Sequence, residues 1–256
     1  MKFYPIAALG VAVRERLSVF VSILIAVASA ATLYAVFYWT ELVSVFGRLP
    51  RAEYPLSFSA TDILDMGLLV FGSNASPSDH WYPIGRLLIA ALGLTAAFIT
   101  ARRMQKNQIT LAASPYASTI FVLGALSLTA CFFLSKNYSY RAVFLYLCVP
   151  AMLTTLSSSV VNSGSKSFSR LLLGVIIIVV WSNIVFANLL ISQAAINEGL
   201  FRACFIALIL IAELAKWIAV VCLAAALWRV VQESELWRTL RKGSMRGRVV
   251  APGTSL

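Results

Sequence analysis

Long apolar runs alternate with short polar segments along most of this chain. Six of the runs are long enough to cross a hydrocarbon core of about 30 Å, because a helix rises about 1.5 Å per residue. The pattern therefore predicts an all-α, polytopic integral membrane protein with about six transmembrane helices. The predicted spans are Leu17–Tyr38, Ile84–Thr100, Ser118–Leu134, Ala142–Val161, Leu171–Ile191 and Ala203–Trp228.

Ahead of these spans, Phe3–Val13 is apolar but only about half the length that a crossing helix needs. We expect it to form a short N-terminal apolar or re-entrant helix. The first span also has features of a cleavable signal peptide, since Arg14 and Arg16 precede it and the small residues Ala28–Ala30 lie within it. Apolar residues continue to Phe37, which favours an uncleaved span.

The composition supports a membrane location and narrows the classes of partner. Hydrophobic residues make up 60% of the chain and charged residues 12%, which is about half the usual charged share of a soluble domain. The net charge of +11 is carried by cations that flank apolar runs and form no basic stripe with interleaved aromatics. We therefore predict membrane lipid as a partner and no nucleic acid. The four cysteines lie inside apolar runs without metal-ligand spacing, so we predict no metal and no cofactor.

The distribution of cations predicts the orientation, because Lys and Arg are concentrated on the cytoplasmic side of membrane proteins. The longest polar segment, residues 39–83, is rich in acids and is predicted to be an outer loop. We expect one helical membrane domain over residues 1–230, followed by a basic cytoplasmic tail at 231–256, in the inner (cytoplasmic) membrane. The predicted cytoplasmic segments are 101–109, 162–170 and 229–256.

Within the outer loop, the pattern over Ser59–Phe71 predicts a short amphipathic helix on the membrane surface, with Thr61 as its N-cap. Asp62 and Asp65 also lie in this loop, but no motif around them indicates a catalytic role. The catalytic residues therefore stay unassigned at this stage.

A polar island, Ser135–Arg141, separates the third and fourth predicted spans. Two cations, an amide and two phenols fall within its seven residues, on the side where the cation rule disfavours positive charge. This chemistry suits a phosphate or a sugar, and the equally supported alternative is an aromatic belt with snorkelling cations. The candidate substrate-binding residues are Lys136, Asn137, Tyr138, Tyr140 and Arg141.

Two charges interrupt the last predicted span. Glu213 and Lys216 are three residues apart, so both side chains share one helix face and can form an ion pair. Such a pair acts either as an internal lock between helices or as a proton or ion relay. Removing one partner of such a buried pair costs about 3 to 5 kcal/mol, whereas replacing both is nearly neutral, so we expect Glu213→Gln to destabilise the protein and the added change Lys216→Met to recover much of the loss.

Two segments carry a resemblance to a known family. The opening Lys2-Phe-Tyr-Pro5 follows the pattern K-x-Y-P, and Lys136–Leu153 follows the pattern N-x-x-Y-R-x-x-F-L-x-x-x-x-P. Both resemble segments of polytopic glycosyltransferases of the C-type superfamily, notably the family 87 mannosyltransferase-like proteins. The residues that match the second pattern are Asn137, Tyr140, Arg141, Phe144, Leu145 and Pro150.

The resemblance implies a polyprenyl-phosphate-linked sugar as donor and synthesis of a cell-envelope or exported glycan at the outer face. In that family the catalytic carboxylates lie in the first outer loop, ahead of the segment that Lys2–Pro5 resembles. We therefore expect this chain to correspond to the later part of such a transferase, without its N-terminal catalytic region, and activity stays open. The alternatives are a small transporter or lipid-handling protein, and a non-enzymatic membrane subunit with membrane-protein partners.

Overall fold

The computed structural model describes residues 17–40, 57–60, 62–64, 81–111, 114–134, 137–191, 198–234 and 237–239. The regular elements of this part of the chain are helices apart from one antiparallel pair of two-residue strands. It divides into two compact units, Met1–Leu49 with Trp228–Leu256, and Pro50–Leu227. The elements are α1 (Leu17–Phe37), β1 (Ser57–Phe58), α2 (Trp81–Lys106), α3 (Pro115–Leu134), β2 (Asn137–Tyr138), a 3₁₀ helix (Ser139–Cys148), α4 (Val149–Ser157), α5 (Ser163–Ile191) and α6 (Glu198–Glu233).

Four helices of the described chain, α2, α3, α5 and α6, are long and apolar enough to cross a membrane. The predicted all-α class is thereby confirmed, the four helices are compatible with the predicted membrane location, and α1 forms where the first span is predicted. The two other predicted runs contain shorter apolar helices, Ser18–Tyr34 and Phe144–Ser157. The predicted helix over Phe3–Val13 lies outside the described residues.

The fourth predicted span, Ala142–Val161, is not one continuous α-helix. Its first part belongs to the 3₁₀ helix and its second part to α4, which ends where Ser158 takes an extended backbone conformation. Pro150 lies in the first turn of α4. A proline there needs no intrahelical partner for its nitrogen and already has a helical φ. Pro150 therefore lies where the 3₁₀ helix changes to α4, and the kink predicted there stays a prediction.

A glycine brings α3 and the 3₁₀ helix into close contact. A Cβ added at Gly124 would lie 2.7 Å from Leu147 Cβ and 2.8 Å from the carbonyl oxygen of Phe144. No side chain larger than hydrogen fits at this distance without a shift of the backbone. Around this contact lie buried residues of the core: Phe121, Ala125, Leu128, Leu145 and Cys148.

The start of α5 is joined to the end of α2 by side-chain hydrogen bonds. Asn162 Oδ1 accepts from the backbone N–H of Ser165 at 2.8 Å, and Asn162 Nδ2 donates to the Gln108 carbonyl at 3.0 Å. Ser165 Oγ accepts from the backbone N–H of Thr110 at 2.9 Å. Residues 163–170, predicted as part of a loop, are helical because Asn162 caps their first turn.

These bonds bring basic side chains from two helices to one end of the fold. We call it the basic end. The cations that α2 and α5 contribute there are Arg102, Arg103, Lys106, Lys166 and Arg170.

Candidate functional site

Three charged side chains meet in the interior of the larger unit, and we call them the buried ion cluster. Lys216 Nζ lies 3.1 Å from Asp62 Oδ2 and also pairs with Glu213 Oε1. The exposed fractions are 0% for Asp62, 4% for Glu213 and 7% for Lys216. The predicted pair of Glu213 and Lys216 is confirmed, and Asp62 is a third member that the helix spacing did not indicate. Each of these charges needs its partners to stay buried, because a charge that loses its partner far from bulk water is strongly destabilising.

Asp62 reaches the cluster from a turn of the predicted outer loop. Its Oδ2 accepts a hydrogen bond from the backbone N–H of Ser59 at 2.9 Å, and residues 62–64 are helical. This bond resembles one half of a capping box, in which an acid reaches back to the backbone N–H of the residue three positions before it. The sequence signal for this bond is the S-x-x-D spacing from Ser59 to Asp62. The predicted N-cap Thr61 lies outside the described residues.

The turn that carries Asp62 is buried in the protein. Ser59 is 2% exposed and Ala60 is 3% exposed. This part of the loop therefore packs inside the protein, and its position at the membrane surface stays a prediction. The ion pair with Lys216 explains this burial, because it offsets the free-energy cost of removing the Asp62 carboxylate from water.

Backbone hydrogen bonds tie the same turn to α3 and to the polar island. Strand β1 pairs antiparallel with β2, so that Ser57 lies opposite Tyr138 and Phe58 opposite Asn137. The backbone N–H of Ala60 donates to the carbonyl of Phe132 at 2.8 Å. Phe132 belongs to the last turn of α3, where carbonyls lack an intrahelical partner. The turn from the loop thus supplies a donor to the open end of this helix.

Aromatic rings pack beside the ion cluster. The Trp217 ring meets Phe132 edge to face at 4.9 Å between centroids and Phe133 at 6.1 Å. A Cβ added at Gly93 would come within 2.6 Å of Trp217 Cζ3, so α2 also reaches this point. The Trp217 indole N–H is buried without a hydrogen-bond partner among the described residues. Trp217 therefore acts through packing, which keeps the neighbouring Lys216 away from water.

The predicted substrate-binding residues follow the end of α3 in the chain. Asn137 and Tyr138 form β2, and Tyr140 and Arg141 belong to the first turn of the 3₁₀ helix. Lys136, and the side chains of the other four residues, lie outside the part of the chain that the structure describes. Their convergence on one ligand stays a prediction.

Within the described ranges, no group of three His, Cys, Asp or Glu side chains is arranged to hold a metal ion. No protein-family model, no curated protein and no solved structure matches the chain. The resemblance to the family 87 transferases therefore stays a prediction that rests on the two sequence patterns.

Proposed function

We propose that the protein binds a polyprenyl-phosphate-linked sugar at the outer face of the cell's inner membrane, as the later part of a glycosyltransferase for cell-envelope or exported glycans. The observation that supports this function best is the pairing of β1 with β2, which joins the acid-rich loop to the polar island. Transfer from a lipid phosphate needs cations near the departing phosphate and acceptors that orient the sugar hydroxyls. Both kinds of group occur in the two joined segments.

In the proposed site, Arg141 and Lys136 bind the donor phosphate, while Asn137, Tyr138 and Tyr140 donate hydrogen bonds to sugar or phosphate oxygens. Arg141 presents a planar fork that can hold one phosphate through two hydrogen bonds. The buried ion cluster positions the loop next to this site and does not take part in the chemistry.

Six spans are also part of the proposal. The 3₁₀ helix has 10 residues and α4 has 9. At about 2.0 Å per residue for the first and about 1.5 Å for the second, they extend over about 33 Å, which is enough to cross the hydrocarbon core. With α1, this gives six crossings and leaves the C-terminus in the cytoplasm.

The basic end supports the cytoplasmic assignment of the loops that it contains. We expect an impermeant thiol reagent added from outside to label a cysteine at Ser73 and to miss one at Gln105, which is exposed at the basic end. The background should carry Cys204→Ser, because Cys204 is exposed whereas the other three cysteines are buried. The reverse labelling pattern would invert the topology and move the polar island to the cytoplasmic face.

The binding site is tested by Arg141→Lys, which keeps the charge and removes the planar fork. Charge-assisted hydrogen bonds contribute about 1.5 to 3 kcal/mol, so we expect binding of a short-chain polyprenyl-phosphate sugar to weaken about ten- to a hundredfold. The measurement is direct binding to the purified protein, with bulk anionic lipid as the competing ligand.

Arg202→Lys is the matched control, because Arg202 is an exposed arginine of α6 on the predicted outer side and lies outside the island. It should bind the donor as well as the wild-type protein does. Equal affinity of Arg141→Lys and wild type, or no preference over the competing lipid, would leave the aromatic belt as the account of the island.

A small transporter or lipid-handling protein is the second candidate, and the buried ion cluster is the observation that favours it. Ionisable residues inside a membrane domain often mark a path for ions or substrates. The same binding assay separates the two functions. A folded Glu213→Gln variant keeps the Asp62 contact with Lys216 that positions the loop, so it should retain donor binding if the island is the site and should lose it if the cluster is.

A further inference from the structure

The basic end gathers positive charge that no carboxylate of its own helices neutralises. Residues 80–197, which contain all of α2 and α5, include no Asp and no Glu. Within the described part of the chain, none of the cations of the basic end forms an ion pair with an acid from elsewhere. This surface is therefore complementary to an anion.

The cations of the two helices lie at a common level. The hydrogen bond of 3.0 Å from Asn162 to Gln108 joins α2 and α5 and gives both helices one reference point. Arg102 lies six residues before Gln108, or about 9 Å along α2. Lys166 and Arg170 lie four and eight residues after Asn162, or about 6 and 12 Å along α5. Cations of both helices thus occupy one band at the end of the apolar runs, where lipid headgroups lie.

The helix ends themselves do not require these cations. At the end of α2, the carbonyl of Met104 accepts from the backbone N–H of Ile109 at 2.8 Å, and the carbonyl of Gln108 accepts from Asn162 Nδ2. These carbonyls need no lysine or arginine as a cap. Lys166 lies in the first turn of α5, where the helix dipole disfavours a positive charge. A bound anion accounts for a cation at that position, whereas the dipole does not.

The side chain of Arg102 folds back over an aromatic ring that faces lipid. Its Cζ lies 5.0 Å from the centroid of the Phe98 ring. Phe98 is 50% exposed, and Leu94, one turn further back, is 58% exposed, while Ala97 and Ala101 on the other side of α2 are buried. Arg102, Phe98 and Leu94 are four residues apart, so they form one stripe with a charge at its end. A snorkelling arginine reaches away from hydrocarbon, whereas this guanidinium stays beside it.

Helix α5 shows the same arrangement. Arg170 is exposed, and Ile177 and Trp181, seven and eleven residues further along, are 57% and 58% exposed. This spacing places all three on one face of the helix. Leu172 and Val179 are buried on the opposite face. Both helices therefore present cations above an apolar surface, and an anionic phospholipid combines the same two properties.

We propose that the basic end binds an anionic phospholipid, whose phosphate contacts the cations of α2 and α5 and whose acyl chains lie along Leu94 and Phe98. Basic sites between membrane helices are suited to such headgroups. The planar fork of Arg102 can donate two hydrogen bonds to phosphate oxygens, and Lys166 adds a second charge. The apolar stripe selects a lipid over a soluble phosphate, because acyl chains cover it. In the proposed topology this site lies on the opposite side of the membrane from the polar island and does not depend on donor binding.

A fluorescent label at Leu94 tests the acyl part of the site, in the Cys204→Ser background. Vesicles contain equal amounts of phosphatidylglycerol and phosphatidylcholine, and one of the two lipids is brominated in the middle of its acyl chains so that it quenches a label that it contacts. Leu94 lies eight residues, or about 12 Å, from Arg102, which brings the label near the bromines. We expect brominated phosphatidylglycerol to quench this label several-fold more strongly than brominated phosphatidylcholine does.

Ile84, which is 60% exposed near the other end of α2, is the matched label position. It should be quenched equally by the two lipids. Equal quenching at Leu94 would overturn the proposal, and so would the same excess at Ile84, since the preference would then not belong to the basic end.

The headgroup part of the site is tested with the double variant Arg102→Gln and Lys166→Gln. Each cation near an anionic headgroup contributes about fivefold to affinity, so we expect this variant to lose most of the excess quenching at Leu94. The variant Arg202→Gln with Arg238→Gln removes the same charge from two exposed positions elsewhere and should keep the excess. An excess that survives the first variant, or that both variants lose, would overturn a local site.

Inorganic phosphate distinguishes a lipid from a soluble anion. Added to wild-type vesicles at an ionic strength held constant with chloride, it should leave the excess quenching at Leu94 unchanged. Loss of the excess would assign the basic end to a soluble phosphate and overturn the lipid site.

Discussion

Replacing Lys216 with methionine is expected to lower the free energy of unfolding by about 3 to 5 kcal/mol. The change removes the ammonium group that both Asp62 and Glu213 contact, and leaves two carboxylates in a site with almost no access to water. The methionine itself fits, because its length and shape are close to those of the lysine stem. The loss should appear as a lower melting temperature of the detergent-solubilised protein.

Further variants test whether the cluster has three members. A simple pair would make the double change Glu213→Gln with Lys216→Met nearly neutral. With Asp62 in the cluster, the double variant still leaves a buried carboxylate without its ammonium partner, so we expect it to stay destabilised. Adding Asp62→Asn should then recover most of the loss, since all three charges are gone.

The matched control is the more accessible pair of Arg229 and Glu233, whose side chains are 17% and 52% exposed and whose charged atoms are 3.0 Å apart one helical turn from each other. Its charge-free double variant should change stability by less than about 1 kcal/mol, because water screens this pair. Full recovery in the Glu213 and Lys216 double variant, without the change at Asp62, would contradict the three-membered cluster.

Gly124→Ala is expected to destabilise the protein by up to about 3 kcal/mol, at the upper end of the usual cost of overpacking. The added methyl group would meet the backbone carbonyl of Phe144 at 2.8 Å, and a carbonyl held in a helix cannot rotate away. The 3₁₀ helix would have to move away from α3, and its first turn carries Tyr140 and Arg141 of the polar island.

Gly174→Ala provides the comparison, because nothing lies within 4 Å of a Cβ at that position of α5. It should be neutral or slightly stabilising, since alanine favours a helix more than glycine does. Thermal melting of both variants under one set of conditions gives the result. Equal melting temperatures would mean that α3 and the 3₁₀ helix are not in contact at Gly124.

The helices that the sequence predicts well are those whose signal is local. Continuous apolar runs are enough to identify the helices over α2, α3, α5 and α6, and the spacing of Glu213 and Lys216 is enough to predict their ion pair. Each of these signals depends on residues within one helix. The environment of a neighbouring helix is not needed to interpret them.

The features that the sequence does not predict are of two kinds. Some depend on residues far apart in the chain, and others on local patterns that are compatible with two different structures. Asp62 and Lys216 are 154 positions apart, and no local pattern reports that they meet. Pro150 illustrates the second case, because the apolar run around it does not indicate that a 3₁₀ helix precedes α4. The S-x-x-D spacing at Ser59 is a local signal, and it indicates a helix start without indicating its burial.

The separation between Asp62 and Lys216 also sets an order of events during synthesis. A ribosome that adds about 5 to 20 residues per second needs about 8 to 30 seconds to make the 154 residues between them. During that interval Lys216 has not yet been synthesised. The turn that carries Asp62 therefore lacks its ion-pair partner while α2, α3 and α5 are made. The synthesis of α6 then supplies Lys216. A helix near the C-terminus thus forms the ion pair that a loop near the N-terminus needs.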